Sequence, residues 1–184
     1  MNRTEFGQQL NLAEDLIAIG RRNRPETPLA PTFITIHNTD NPSAGADALA
    51  HARFLKMTGY YIHPRGSGNK VWVSWHYTVD DFRIIKHIPI SELAFHAKSG
   101  NSKSIGIEIC MNAGINQNAA NLRAARLVAA LMFDLGIGID KVVPHNKWTG
   151  KQCPSLLMDA DKTFNVKWGN FKNMILAEFG SIDV

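Results

Sequence analysis

Ser104-Ile105-Gly106-Ile107-Glu108-Ile109-Cys110 decides the reading of this chain. Successive side chains of an extended strand point to opposite sides, so Ile105, Ile107 and Ile109 share one face and Gly106, Glu108 and Cys110 the other. Upstream, Phe33-Ile34-Thr35-Ile36-His37 has the β-branched and aromatic content of a second strand, with Phe33, Thr35 and His37 on one face and His37 at its end. Downstream, Leu122, Ala125, Ala129 and Met132 recur at helical spacing with Gly136 just beyond, which predicts a helix over Ala119 to Leu135. Val142-Val143 is a short strand leading into His145, and Trp168, Phe171, Ile175 and Phe179 form the stripe of a C-terminal helix. Strands and helices mixed in this order imply an α/β layer fold.

The remaining segments fit around that frame. Ser43 is expected to cap a helix running to about Met57, with Ala46, Ala50, Phe54 and Met57 as its apolar stripe. Gly59 to Lys70, with three glycines and a proline among aromatic and basic residues, reads as an irregular surface loop long enough to line a groove. Trp72 to Val79 and Arg83 to Ile88 read as two strands joined by a turn at Asp80-Asp81-Phe82. Residues 1–31 read as an N-terminal arm, and residues 32–184 as a single domain.

The 184 residues suit one compact domain, and a hydrophobic fraction of 45% is enough to build a core. A formal charge of +4 would help approach to an anionic polymer. No zinc-knuckle spacing, helix-turn-helix pattern or basic-aromatic stripe accompanies the charge, so nucleic acid is not the expected partner. The first thirty residues lack the apolar run of a signal peptide, and no segment is long and apolar enough to span a membrane. Two cysteines, Cys110 and Cys153, are too few for a disulfide framework.

Three side chains follow likely strands and could meet at a metal: His37 in ITIHNTDN, and His145 with Cys153 in VVPHNKWTGKQCP. Gly150 and Pro154 let that last segment loop back on itself. Two imidazoles and a thiolate would leave a fourth tetrahedral position open, as a catalytic zinc requires. Spacing alone leaves other roles for Cys153 open: a small buried hydrophobe, half of a bond to Cys110, or a thiol nucleophile paired with His145. Cys110, on the face of Glu108, reads as a packed free thiol. Of the seven histidines, His51, His63 and His87 read as surface or packed residues.

Five segments in order, ITIHNTDN, SWHYTVDD, AFHAKSGNSKSIGIEIC, the helix from Ala119 to Leu135 and VVPHNKWTGKQCPSLL, resemble the type-2 N-acetylmuramoyl-L-alanine amidases. That family includes phage endolysins and shares its fold with peptidoglycan recognition proteins. The resemblance covers about Pro31 to Leu157 and implies a central mixed β-sheet flanked by α-helices. It implies zinc held by His37, His145 and Cys153, with Glu108 as the catalytic carboxylate and Lys151 as a second catalytic residue. It also suggests that His76 and His96, in SWHY and FHAK, line the substrate cleft. The implied reaction is hydrolysis of the amide between N-acetylmuramic acid and L-alanine in peptidoglycan.

Rival expectations from the same fold are a recognition protein that holds muropeptides without cutting them and a cytosolic amidase that recycles anhydro-muropeptides. The first commonly lacks the Cys ligand and the second usually has Asp there, so Cys153 favours the wall-lytic branch. Few residues follow Leu157, so the expectation is the catalytic domain alone, a monomer made in the cytoplasm and acting on the wall after lysis or export. The segment from Gly59 to Lys70 is longer than the matching region of endolysins, so no substrate contact is carried over to it.

Overall fold

The computed structural model describes residues 1–63 and 68–183. In chain order the elements are α1 (Arg3–Gln8), β1 (Leu12–Glu14), β2 (Phe33–Asn38), α2 (Ala48–Met57), β3 (Tyr60–Ile62), β4 (Lys70–Trp72), β5 (Tyr77–Val79) and β6 (Ile84–Lys86). There follow β7 (Ser104–Ile109), α3 (Gln117–Leu135), β8 (Val142–Pro144), α4 (Asn146–Thr149) and α5 (Val166–Phe179). Six strands form one sheet in the order β1-β6-β5-β7-β2-β8. Only β5 and β6 pair antiparallel within it, so the sheet is mixed, as expected.

The alternation in β7 divides the molecule into two layers. Ile105, Ile107 and Ile109 join Ile34 and Ile36 of β2 in the main core, beneath Ala124, Val128 and Leu131 of α3 and Phe171 and Ile175 of α5. The opposite face of the same strands carries Thr35, His37, Gly106 and Glu108. There α2 covers part of the sheet through Ala48, Ala52 and Leu55. Helix α3 starts on Asn116, whose side chain accepts from the N–H of Ala119, and stops at Gly136 with φ 65°. A left-handed residue at that point ends a helix at no steric cost when it is glycine.

Several expectations change. The cap of α2 is Asp47, which accepts from the N–H of Ala50, and not Ser43. The buried stripe of α2 is Ala48, His51, Ala52 and Leu55, whereas Met57 is 74% exposed. The buried phase includes a histidine, His51, whose Nδ1 bonds to the carbonyl of Asp47 and lets the ring pack inward, so a stripe of apolar residues alone does not mark it. Ala50 and Phe54, expected in the apolar stripe, line a cleft, and Phe54 also packs against the second core cluster.

The stretch from Gly59 to Lys70 is not wholly irregular: β3 and β4 pair antiparallel, Tyr60 opposite Trp72. Residues 64–67 lie outside the described residues. Trp72 therefore belongs to this ribbon, and the central hairpin is the shorter pair β5 and β6 around Asp80. That carboxylate accepts from the N–H groups of Phe82 and Arg83 in the turn and of Ala48 at the start of α2.

Residues 1–31, read as an arm, are built into the domain. Strand β1 extends the sheet alongside β6, and Phe6 and Leu10 are buried in the main core. Further along, Ile17 enters the second core cluster and Arg24 forms a paired ion contact with Glu92 at 2.7 and 2.8 Å. Its strand is three residues long and all three are exposed, so no periodic signal marks it in the sequence.

Candidate metal centre and cleft

In open α/β sheets ligands collect at the carboxyl ends of the strands. Here His37 sits near the end of β2, Glu108 near the end of β7, and His145 one residue beyond β8. The last segment returns through Gly150 to Cys153. Its closure is held by Asn146, whose N–H donates to the carbonyl of Cys153 and whose side-chain amide donates to the carbonyl of Lys151. The side chain of Asn38 ties the same loop to β2 and β7, donating to the Ile109 carbonyl and accepting from the N–H of Leu156.

The result brings His37, His145 and Cys153 together, with one ligand atom from each lying within 4.8 Å of the others. The rings of His37 and His145 are 4.5 Å apart between centroids, and the Cys153 sulfur is 3.9 Å from His37 Nδ1. This is the group anticipated from residues far apart in sequence. Cys110 and Cys153 are both free thiols, so the disulfide alternative does not hold.

The three donors fit a metal on chemical grounds. His145 Nδ1 is buried without a hydrogen-bond partner among the described residues, as is Glu108 Oε2. A buried lone pair with nothing to accept is costly, and a cation answers that demand. Burial lowers the pKa of His37 well below the usual imidazole range and, reinforced by the charges of Lys151 and Lys98, takes His145 down to about 4. Both rings are thus neutral, the form that ligates. Burial also pushes the Cys153 thiol up to about 12, so only a strong Lewis acid would hold it as thiolate.

Glu108 is 12% exposed and faces the donors: its Oε1 is 3.7 Å from His37 Nδ1. Burial lifts its carboxyl to about 8, against the opposing charge of Lys151. Lys151 lines the same cleft, half-exposed, with Nζ 3.6 Å from Asp40. The cleft, about 1090 Å3, runs from the donor group past Ala50 and Phe54 of α2 to Tyr61 and Trp72 of the β3 and β4 ribbon.

The two remaining histidines part company. His96 lines the cleft and touches His37, Nδ1 to Nε2 at 3.0 Å. His76 does not reach the cleft: it is fully buried, accepting at Nδ1 from the N–H of Gly106, with Nε2 2.9 Å from the carbonyl of Glu92. Its place in the SWHY segment reflects a structural role, bridging β7 to the Glu92 turn. Of the histidines read as surface or packed, His87 is buried and His63 is exposed, while His51, buried on α2, also lines the cleft. Asn38 and Asn146 escaped the sequence reading, because nothing in their spacing distinguishes a loop clamp from a solvated amide.

The family model for N-acetylmuramoyl-L-alanine amidases matches residues 27–156. The chain belongs to that family. Among curated relatives, this chain is 39% identical to N-acetylmuramoyl-L-alanine amidase XlyA of Bacillus subtilis, over 93% of its own length and 59% of XlyA. It is 42% identical to the amidase CwlH of the same organism, over 90% of its length and 61% of CwlH. The chain thus spans about three fifths of these relatives. The solved structure of the catalytic domain of XlyA superposes with a TM-score of 0.75 at 42% identity, covering 90% of this chain and 99% of that domain.

Proposed function

We propose that the chain is a zinc-dependent N-acetylmuramoyl-L-alanine amidase that hydrolyses peptidoglycan between the lactyl carboxyl of N-acetylmuramic acid and the amine of L-alanine. The observation that carries this reading is the convergence of His37, His145 and Cys153 on one point, with the Glu108 carboxylate facing them. Two nitrogens and a sulfur are the donor set of zinc, and three protein ligands leave a position for reacting species. The amidase names of XlyA and CwlH support the choice of bond.

Zinc held by these three side chains would polarise the scissile carbonyl and bring the pKa of water beside it toward neutrality. The chain's own groups do the rest. Glu108 takes the proton of the attacking water and returns it to the nitrogen of L-alanine as the C–N bond breaks, leaving a carboxylate on the sugar and an amine on the peptide. Lys151 places its ammonium at the cleft wall, where it offsets negative charge developing on the carbonyl oxygen. Buried His37 and Cys153 keep bulk water from the inner side of the site. The formal charge of +4 suits a wall rich in anionic groups.

Metal content and digestion products test the reading together. The purified chain should hold about one zinc per molecule and release from peptidoglycan a peptide beginning with free L-alanine, identified by mass. Zinc-loaded protein that binds muropeptides and leaves every bond intact would make it a recognition protein instead. New reducing sugar ends without free L-alanine would move the cut to the glycan.

A further inference from the structure

The Nε2 atom of His96 lies 3.2 Å from the carbonyl oxygen of Ser104. A carbonyl can only accept, so this nitrogen carries the proton of the ring. A neutral imidazole carries a single N–H, so with Nε2 donating to Ser104 the Nδ1 of His96 is a bare lone pair. That lone pair faces His37 Nε2 at 3.0 Å, and His37 must therefore donate. The Nδ1 of His37 is then the unprotonated atom, and it points into the group formed with Cys153 and Glu108, 3.9 and 3.7 Å away. With the opposite tautomer, two lone pairs would meet at 3.0 Å and an N–H would occupy the place of the metal.

We propose that His96 is a positioning residue, which fixes the tautomer of His37 by relaying the hydrogen-bond demand of the Ser104 carbonyl through two imidazoles, so that Nδ1 of His37 is presented to the ion.

The relay has a built frame. A Cβ on Gly106 would lie 2.7 Å from the His96 ring, so the bare strand at that position is what lets the ring rest against β7. The backbone N–H of His96 donates to Asn101 Oδ1 at 2.9 Å. Ser104 is held from both sides: its hydroxyl donates to the carbonyl of Gly100 and accepts from Thr35, both at 2.8 Å. Thr35 in turn accepts from the indole of Trp148 at 2.9 Å. Partners that orient a metal-bound imidazole typically change metal affinity 10- to 100-fold when removed.

The proposal rests on the metal-site reading above, yet its first test needs no metal. Nitrogen-15 correlation spectra of the metal-free wild-type chain should show both His37 and His96 protonated at Nε2. Removing the acceptor with His96→Phe should mix the two tautomers of His37 and weaken zinc binding about 10- to 100-fold in competition with a chelator. His96→Asn, whose Oδ1 can take the place of Nδ1, should recover most of both. His37 protonated at Nδ1 in the metal-free wild type would overturn the relay, as would wild-type zinc affinity in His96→Phe. A chain that binds no zinc, with His37 protonated at Nε2, would remove the metal reading and leave the relay standing. If His96→Phe fails to fold, the wild-type spectra and His96→Asn still decide.

Discussion

Glu108 Oε1 lies 3.7 Å from Nδ1 of His37, and the two residues are direct register partners on the adjacent parallel strands β7 and β2. A carboxylate and an imidazole are thereby held at fixed separation by backbone hydrogen bonds and not by loops. Rigid strands position reacting groups more closely than loops can.

Glu108→Gln keeps the shape of this pair and removes the proton carrier. Turnover of peptidoglycan should fall about 10^2- to 10^4-fold, the usual contribution of general acid-base catalysis, with zinc content unchanged. Turnover close to wild type, measured by release of free L-alanine ends, would take the proton-transfer role away from Glu108.

Metal should stabilise the fold as well as activate it. Free zinc at about a thousand times its dissociation constant adds about 4 kcal/mol, a rise of roughly 10 °C in melting temperature for a domain of this size. Chelator should abolish both the shift and the cleavage, and zinc should restore them. Cys153→Ser should lose most of the shift. A melting temperature indifferent to zinc would speak against ligation by His37, His145 and Cys153.

Acid should destabilise the metal-free chain through His87. This ring is buried, and burial depresses its pKa to about 3. Between pH 6.5 and about 3 the unfolded chain therefore binds a proton that the folded chain refuses. Its contribution is complete above pH 6.5 and is lost as pH falls, with a slope of up to about 1.4 kcal/mol per pH unit. In His87→Gln the dependence of unfolding free energy on pH should be shallower across that window. An unchanged slope would mean that His87 titrates alike in both states.

Phe6→Ala tests whether the N-terminal segment belongs to the domain. Phe6 is 3% exposed in the main core, and emptying such a site costs about 3–5 kcal/mol. Denaturant unfolding should show a midpoint shift of that size in a single transition. Stability equal to wild type would return residues 1–31 to the status of an arm.

The parts legible in the sequence were those with strong period. The strands β2 and β7 and the helices α3 and α5 are marked by alternation or by helical stripes, and the group of His37, His145 and Cys153 by two histidines set at or just beyond strand ends. The parts that escaped lack such a signal for physical reasons. Strand β1 is an edge of three exposed residues, stabilised by pairing with β6 and not by side-chain burial. Helix α2 has apolar residues on two sides, one packed on the sheet and one facing the cleft, so its stripe admits two phases. His76 and His96 sit in equally suggestive segments, and only tertiary packing decides that one is buried in the frame while the other reaches the cleft.

The sheet in which β7 keeps isoleucine on one side and Gly106 and Glu108 on the other has a consequence for folding fidelity. A slip of one residue in its pairing would turn every side chain over, driving a carboxylate into the oily layer and isoleucines into the reaction chamber. A one-residue slip therefore cannot leave the core sound while misassembling only the cleft face of this strand. Quality control by chaperones and proteases, which senses only instability, thus also polices the accuracy of the chemistry.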